Sequence, residues 1–367
     1  MDRVQSPDAT ALCHTDLRHT DSCHSDRCHT DRCHTGQCHS GQCHSGQCHT
    51  CSWHTEISGE HVHRTDPRDA FPTGWRRLDD TRFQVRARWP VRHRFFTARS
   101  GRLQDPLLIP EILRQSTMLL AHAEFGVPRD ARFVMRRVRY ATSPARLALD
   151  GSAEDVVASI TCGDVRRRGR RATGMRSSMV LRRAGRVVAT ADGRVDCVSE
   201  RAYRRLRGER LSVTGRPVPL LPGVPPEEVG RTDTAAVVLA PSPRPGSWRL
   251  RVDTSQPTLF RRPNDHVPGI VLLEAARQAA TAFSRHRGPV VATGMDMVFS
   301  RYAELDRPCW IEAGAMAAGD PHRTRVRVRG LQDTGEVFRC TVTVAASAPC
   351  VPALAPDGPN DGSVSDR

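Results

Sequence analysis

NDHVPGIVLLEAARQAA, residues 264–280, is apolar over most of its length yet carries Glu274, Arg277 and Gln278 in its second half. The bland reading of Glu274 and Arg277 is an exposed i,i+3 ion pair, a contribution of a few tenths of a kcal/mol. That reading needs a wet helix face. Ile270, Val271, Leu272, Leu273, Ala275, Ala276, Ala279, Ala280 and Phe283 surround the pair on nearly every side. A helix apolar all round is a buried helix, and a buried charge without a partner costs several kcal/mol. The spacing predicts a buried helix with Glu274, Arg277 and Gln278 on one stripe, held for use. Pro268-Gly269 opens it and leaves its first N–H groups free to polarise a carbonyl or hold a phosphate at Gly269. His266, just before that opening, either acts on substrate or hydrogen-bonds the turn.

The pattern occurs twice. DPLLIPEILRQSTMLLAHAEF (105–125) and DHVPGIVLLEAARQAATAF (265–283) both contain E-x-x-R-Q, as Glu111, Arg114, Gln115 and Glu274, Arg277, Gln278. Some 21 residues after each glutamate comes a strand-like segment ending in R-Y, FVMRRVRY (133–140) and GMDMVFSRY (294–302). Each helix follows an aromatic stretch expected to be a strand region, VRHRFFTA (91–98) and DTSQPTLF (253–260). Shared order and spacing argue for a duplication.

Strands follow each helix. PCWIEAGAMAAG (308–319), TRVRVRGLQ (324–332) and VFRCTVTVAA (337–346) are rich in Val, Ile and Thr, with a hairpin expected at Asp333–Glu336. In the first half SMVLRRAGRVVATADGRVDCV (178–198) reads as two or three strands, with turns expected at Ala184-Gly185 and Asp192-Gly193. Each unit is an apolar helix plus an antiparallel meander, an α+β arrangement in which a sheet wraps one buried helix. The organisation expected is a disordered Cys/His repeat over 1–59, a first domain over 60–211, a Pro/Gly/Val-rich linker over 212–231, a second domain over 232–349 and a disordered tail over 350–367.

Histidine recurs every five residues from His14 to His54, and eight of the 13 cysteines share that segment. Thiolate and imidazole suit zinc or copper. The spacing lacks the paired ligands of structural zinc sites, however, and a period of five suits no regular element. A slipped 15-nucleotide repeat in the DNA explains it better, and no metal is assigned. The net charge is +15, and all 55 basic residues are arginine, since lysine is absent. Complete loss of lysine points to codon bias in a GC-rich genome. With aromatics at 5% and no helix-turn-helix pattern, a nucleic-acid partner is not expected. RRRGRR (166–171) reads as a solvated loop or a carrier-protein contact. No apolar h-region opens the chain, and no run reaches the roughly 18 residues of a membrane span, so a soluble cytoplasmic protein without a membrane partner is expected.

VPGIVLLEAARQAA resembles the central-helix motif of hotdog enzymes acting on acyl thioesters. With WRLRVDTSQPTLF (248–260) and FSRYAELDRPCW (299–310), it is similar to the second repeat of the A-factor biosynthesis family. VHRTDPRDAFPTGWRRLDDTRFQVRARWP (62–90), DPLLIPEILRQ (105–115) and HAEFGVP (122–128) look like its first repeat. The resemblance spans about residues 60–347. It implies two tandem hotdog domains in a double-hotdog arrangement, and a γ-butyrolactone-forming enzyme. That enzyme would transfer a β-ketoacyl group from acyl carrier protein or acyl-CoA to dihydroxyacetone phosphate. It implies essential roles for Glu111, Glu274 and Arg277, with a glutamate as general base. Arg277 or Arg114 would hold the phosphate, and His266, Gly269 and Gln278 would line the substrate. No cofactor is implied, and a homo-oligomer is compatible. The family often has His-Lys where this chain has His63-Arg64. Other readings are a hotdog dehydratase or thioesterase, for which His266 sits too near the helix to match the usual dehydratase histidine, and a non-catalytic regulator.

Overall fold

The computed structural model describes residues 27–28, 42–43, 52–97, 102–149, 155–260, 263–284, 289–317, 323–333 and 335–347. The chain divides into two units, Met1–His49 and Thr50–Arg367. In the first, a parallel pairing of Arg27–Cys28 with Gln42–Cys43 is described. The rest of the repeat up to residue 51 and the tail, both expected to be disordered, lie outside the described residues, whereas residues 52–59, expected to be disordered with the repeat, are described and join the fold through His54 and Trp75.

The second unit holds the duplication. Its first repeat runs β1 (Pro72–Arg77), β2 (Arg82–Ala87), α1 (Leu108–Ala123), β3 (Arg132–Ala141), β4 (Val156–Arg168), β5 (Arg171–Arg183), β6 (Arg186–Val198) and a short α2 (Glu200–Arg207). Its second runs β7 (Leu239–Ala240), β8 (Ser247–Leu250), α3 (Gly269–Ser284), β9 (Val290–Phe299), β10 (Cys309–Ala315), β11 (Arg323–Gln332) and β12 (Gly335–Ala346). The strands form one sheet in the order β1-β2-β4-β5-β6-β3-β9-β12-β11-β10-β8-β7. Read from either end the repeats have the same order. They meet at β3 and β9, which pair antiparallel with Val138 opposite Met297 and Tyr140 opposite Met295.

Each half wraps its long helix, as the apolar runs require. On α1, Leu108, Ile109, Ile112, Leu113, Leu119 and Leu120 are buried. On α3, Val271, Leu272, Ala275, Ala276, Ala279 and Ala280 are buried. Gly193 was expected in a turn but lies inside β6. A Cβ there would sit 3.2 Å from the Leu113 side chain, so its value is close approach of α1 to the sheet. The turn at Ala184-Gly185 is real, with both residues at positive φ, as a tight hairpin demands.

Residues 91–97 and 253–260 are turns, not strands. Side chains there take up the backbone donors a ladder would use. His93 Nδ1 accepts from the amides of Phe95 and Phe96, and Gln256 Oε1 accepts from the amides of Thr258 and Leu259. The stretch 212–231 does more than link, because Val224, Val229 and Arg231 in it are buried. Among the described residues no helix is long and apolar enough to cross a membrane.

Candidate active site

The three polar residues of each E-x-x-R-Q are completed by a second short motif, Arg64-Thr65-Asp66 in the first repeat and Arg231-Thr232-Asp233 in the second. Each aspartate caps a single 3-10 turn. Asp66 accepts from the Arg68 amide and Asp233 from the Ala235 amide, both at 2.9 Å. The helix glutamine grips the far side of the turn. Gln115 accepts from the Phe71 amide at 2.8 Å and donates to the Asp69 carbonyl at 2.7 Å. Gln278 does the same with Val238 and Ala236, at 3.0 and 2.7 Å. These clamps aim Arg64 and Arg231 at the two glutamates.

Glu111 accepts from Arg64 (Nη2 2.5 Å, Nε 3.1 Å), Arg114 (Nη2 2.7 Å, Nε 2.9 Å) and Gln115 Nε2 (2.6 Å). Glu274 accepts from Arg231 Nε (2.8 Å), Arg277 (Nη2 2.7 Å, Nε 2.8 Å) and Gln278 Nε2 (2.5 Å). Burial pushes both carboxyls toward protonation, but the paired guanidiniums outweigh it. Glu274 is held at about 2, and Glu111 lower still against its ordinary range. The outer nitrogens cross between repeats. Arg64 Nη1 donates to the Thr258 carbonyl and Arg231 Nη1 to the Phe95 carbonyl, both at 2.8 Å.

Here the symmetry ends. Arg231 Nη1 also meets Asp105, at 2.9 Å. The Glu274 cluster therefore sets two carboxylates against two guanidiniums and is neutral. The Glu111 cluster sets one carboxylate against two guanidiniums and keeps one positive charge. The charged cluster also borders a cavity of about 260 Å³ between the repeats. Its walls include Leu113, Met118, Phe133, Val138, Ile270, Leu273 and Phe299. Its polar groups include Arg64, Glu111, Arg114, His266 and Tyr302, and Arg132, Arg136 and Arg301 stand among them. The Tyr302 hydroxyl is buried and has no hydrogen-bond partner among the described residues. A larger cavity of about 470 Å³ mixes four arginines, Arg68, Arg88, Arg92 and Arg94, with Phe71, Trp89, Pro90 and Val91. It touches neither Glu111 nor Glu274.

The structure thus brings Glu111, Arg114, His266 and Gly269 to one cavity. It sets Glu274, Arg277 and Gln278 in the enclosed cluster, where Glu274 is fully buried. Arg64 was quoted in the sequence only as a departure from a lysine. Arg231 was missed, although R-T-D, 47 residues before Glu111 and 43 before Glu274, signals both. His63 also lines the cavity, with its Nε2 3.2 Å from His122 Nε2. Burial holds His122 below the usual imidazole range. Burial pushes the Cys162 thiol up to about 11, which leaves no thiolate nucleophile there. Among the described residues no group of three or more His, Cys, Asp or Glu is placed to hold a metal.

Two hotdog repeats closed into one sheet, with a single-sided cavity between them, define a tandem hotdog protein. The A-factor biosynthesis hotdog domain matches residues 47–199 and 215–348. A protein of Streptomyces virginiae, named 2-oxo-3-(phosphooxy)propyl 3-oxoalkanoate synthase, is 45% identical over 293 residues, covering 80% of this chain and 98% of that one. A protein of the same name from Streptomyces coelicolor is 42% identical, over 77% of this chain and 89% of that one. Among solved structures, a putative oleoyl thioesterase from Lactobacillus plantarum matches with TM-score 0.46 and 11% identity, over 72% of this chain and 96% of that one. The chain belongs to the A-factor biosynthesis hotdog family.

Proposed function

We propose that this chain joins a 3-oxoacyl group, delivered as a thioester on acyl carrier protein or CoA, to a hydroxyl of dihydroxyacetone phosphate. The product is the 2-oxo-3-(phosphooxy)propyl 3-oxoalkanoate for which its relatives are named, and the pathway it feeds is γ-butyrolactone formation. The observation that carries the reading is the unbalanced cluster. Of two matching Glu–Arg–Arg–Gln groups, the one on the cavity has a surplus positive charge, and the enclosed one is neutralised by Asp105.

The apolar walls take the acyl chain. Arg114 is the anion-binding arm. Two of its nitrogens hold Glu111, but among the described residues Nη1 meets only the Met118 sulfur, a weak acceptor that a phosphate oxygen can replace. The start of α3 presents the Gly269 and Ile270 amides, which have no partner within the helix, to the oxygen that gains charge during attack. Glu111 orients the two guanidiniums. Glu274 and Arg277 act at one remove, by fixing Arg231 across the repeat interface. The reading includes a cytoplasmic location for the enzyme.

Mass spectrometry of a reaction of purified protein with a 3-oxoacyl thioester and dihydroxyacetone phosphate tests the reading. The phosphorylated ester is expected. Free 3-oxo acid formed equally fast without the acceptor would make the chain a thioesterase instead.

A further inference from the structure

At the entrance to α3 a histidine is held more firmly than a turn requires. Asp265 Oδ1 accepts from the Tyr203 hydroxyl at 2.7 Å and lies 3.0 Å from His266 Nδ1, and Oδ2 accepts from Arg207 Nε at 2.5 Å. Tyr203 and Arg207 come from α2, at the end of the first repeat, and both are buried. Arg207 is itself fixed by Glu304, at 2.8 and 2.6 Å. The His266 backbone bridges to Glu304, and its ring packs edge-on to Tyr302 at 4.6 Å. The imidazole borders the cavity and is a quarter exposed.

The hydrogens follow from the acceptors. The hydrogen bonds from His266, Tyr203 and Arg207 overcome burial and hold Asp265 ionised, so it can only accept. The single Tyr203 proton goes to Asp265 Oδ1. Nδ1 of His266 must then carry a proton to meet the same oxygen, which leaves a lone pair on Nε2 at the opposite edge of the ring. Nε2 has no hydrogen-bond partner among the described residues. A histidine that only closed a turn would need one acceptor. Here the acceptor is itself fixed by two donors from another element, as a base of defined tautomer requires. The rival base, Glu111, has both oxygens occupied by guanidiniums.

We propose that His266 is the catalytic base of the transfer, with Asp265, Tyr203 and Arg207 as its positioning residues. The inference rests on the acyl transfer proposed above. Nε2 takes the acceptor's hydroxyl proton as that oxygen attacks the thioester carbonyl. The tetrahedral adduct collapses with cleavage of the C–S bond, and the departing thiolate takes the proton back from Nε2. One acyl–sulfur bond is exchanged for one acyl–oxygen bond, and the histidine ends as it began.

The test combines single-turnover transfer with binding of a non-transferable thioether analogue of the 3-oxoacyl donor. His266→Gln is expected to bind the analogue within twofold of the parent and to lose roughly 10²-fold or more in transfer. Asp265→Asn no longer holds the ring in the tautomer that leaves Nε2 free, so its kcat is expected to fall at least about tenfold while KM stays put. A merely structural role would lower the melting temperature without splitting kcat from KM. Transfer by His266→Gln within threefold of the parent, or an unchanged kcat in folded Asp265→Asn, overturns the inference while leaving the acyltransferase reading intact. A parent protein that forms no ester removes both.

Discussion

Glu111 and Glu274 accept from matching partners, two arginines and a glutamine each, and should answer differently to the same substitution. Each is a buried carboxylate between two guanidiniums, and breaking such a group by removing one charge costs about 3–5 kcal/mol. Both Glu→Gln variants should therefore melt lower than the parent. Below its melting transition, Glu274→Gln should still transfer acyl groups within about tenfold, because its cluster is enclosed away from the cavity. Glu111→Gln frees both Arg64 and Arg114 beside the substrate, and transfer should fall about 10²-fold. Equal losses of transfer in the two folded variants would return Glu274 to the substrate side. Acid titration gives a second reading of the same residue. Glu274 has an ordinary value of 4.5 and is held at about 2 in the fold. A depressed carboxylate contributes stability that is fully present above its unfolded value and is lost as pH falls through its folded value. Unfolding free energy by urea titration should drop between about pH 4.5 and 2, and Glu274→Gln should flatten part of that slope. An unchanged slope would mean Glu274 is not the ionised partner of Arg231.

At the scale of elements, α3 is where sequence and site meet most directly. Its first residue, Gly269, has no need to be glycine for packing. A Cβ there would find its nearest neighbour, the Phe299 ring, at an ordinary 3.8 Å. Gly269→Ala should fold with an unchanged or slightly raised melting temperature, since alanine is the better helix former. It should lose transfer about tenfold, because the added methyl stands beside the amides offered to the carbonyl. Full activity in that variant would clear the helix start of any role. The helices were readable because an apolar run interrupted only by E-x-x-R-Q admits one explanation, burial of a paired charge. The turns at 91–97 and 253–260 were not. Phe95, Phe96, Leu259 and Phe260 are buried as strand residues would be, and nothing in their pattern shows that His93 and Gln256 hold the backbone. Asp192-Gly193 misled in the other direction. Asp192 faces out to Arg176 and Ser178, and Gly193 admits Leu113, so a turn pair serves inside a strand.

For the molecule as a whole, duplication built two equivalent creases and only one became charged and open, the difference resting on Asp105 in one repeat and Pro268 at the matching place in the other. That contrast was hidden in the sequence because the arginine of R-T-D lies more than 40 residues from the glutamate it serves, and because single charges gain meaning only when counted across a three-dimensional cluster. The start of the folded unit was also set too late by composition alone. Packing begins ahead of residue 60. His54 exchanges two backbone hydrogen bonds with Trp75 (2.8 and 2.9 Å) and stacks on its ring at 4.8 Å. Trp53 lies under the Arg76 and Arg86 guanidiniums, 5.0 and 4.0 Å from the ring centre. Two hydrogen bonds at about 1 kcal/mol each and two cation–π contacts at about 0.5–1 kcal/mol each make this segment worth roughly 3–4 kcal/mol. A chain starting at Thr50 should melt with the full-length protein, since residues 1–49 supply almost no core-forming side chains. A chain starting at Glu60 should melt several degrees lower yet transfer acyl groups normally in the cold, because Trp53 and His54 stand outside the cavity lining. Scanning calorimetry of the two truncations decides it. Identical melting would mean that the contacts of Trp53 and His54 add nothing to the fold, and a lower melting point for the Thr50 chain would give the Cys/His repeat a stabilising role that its composition does not suggest.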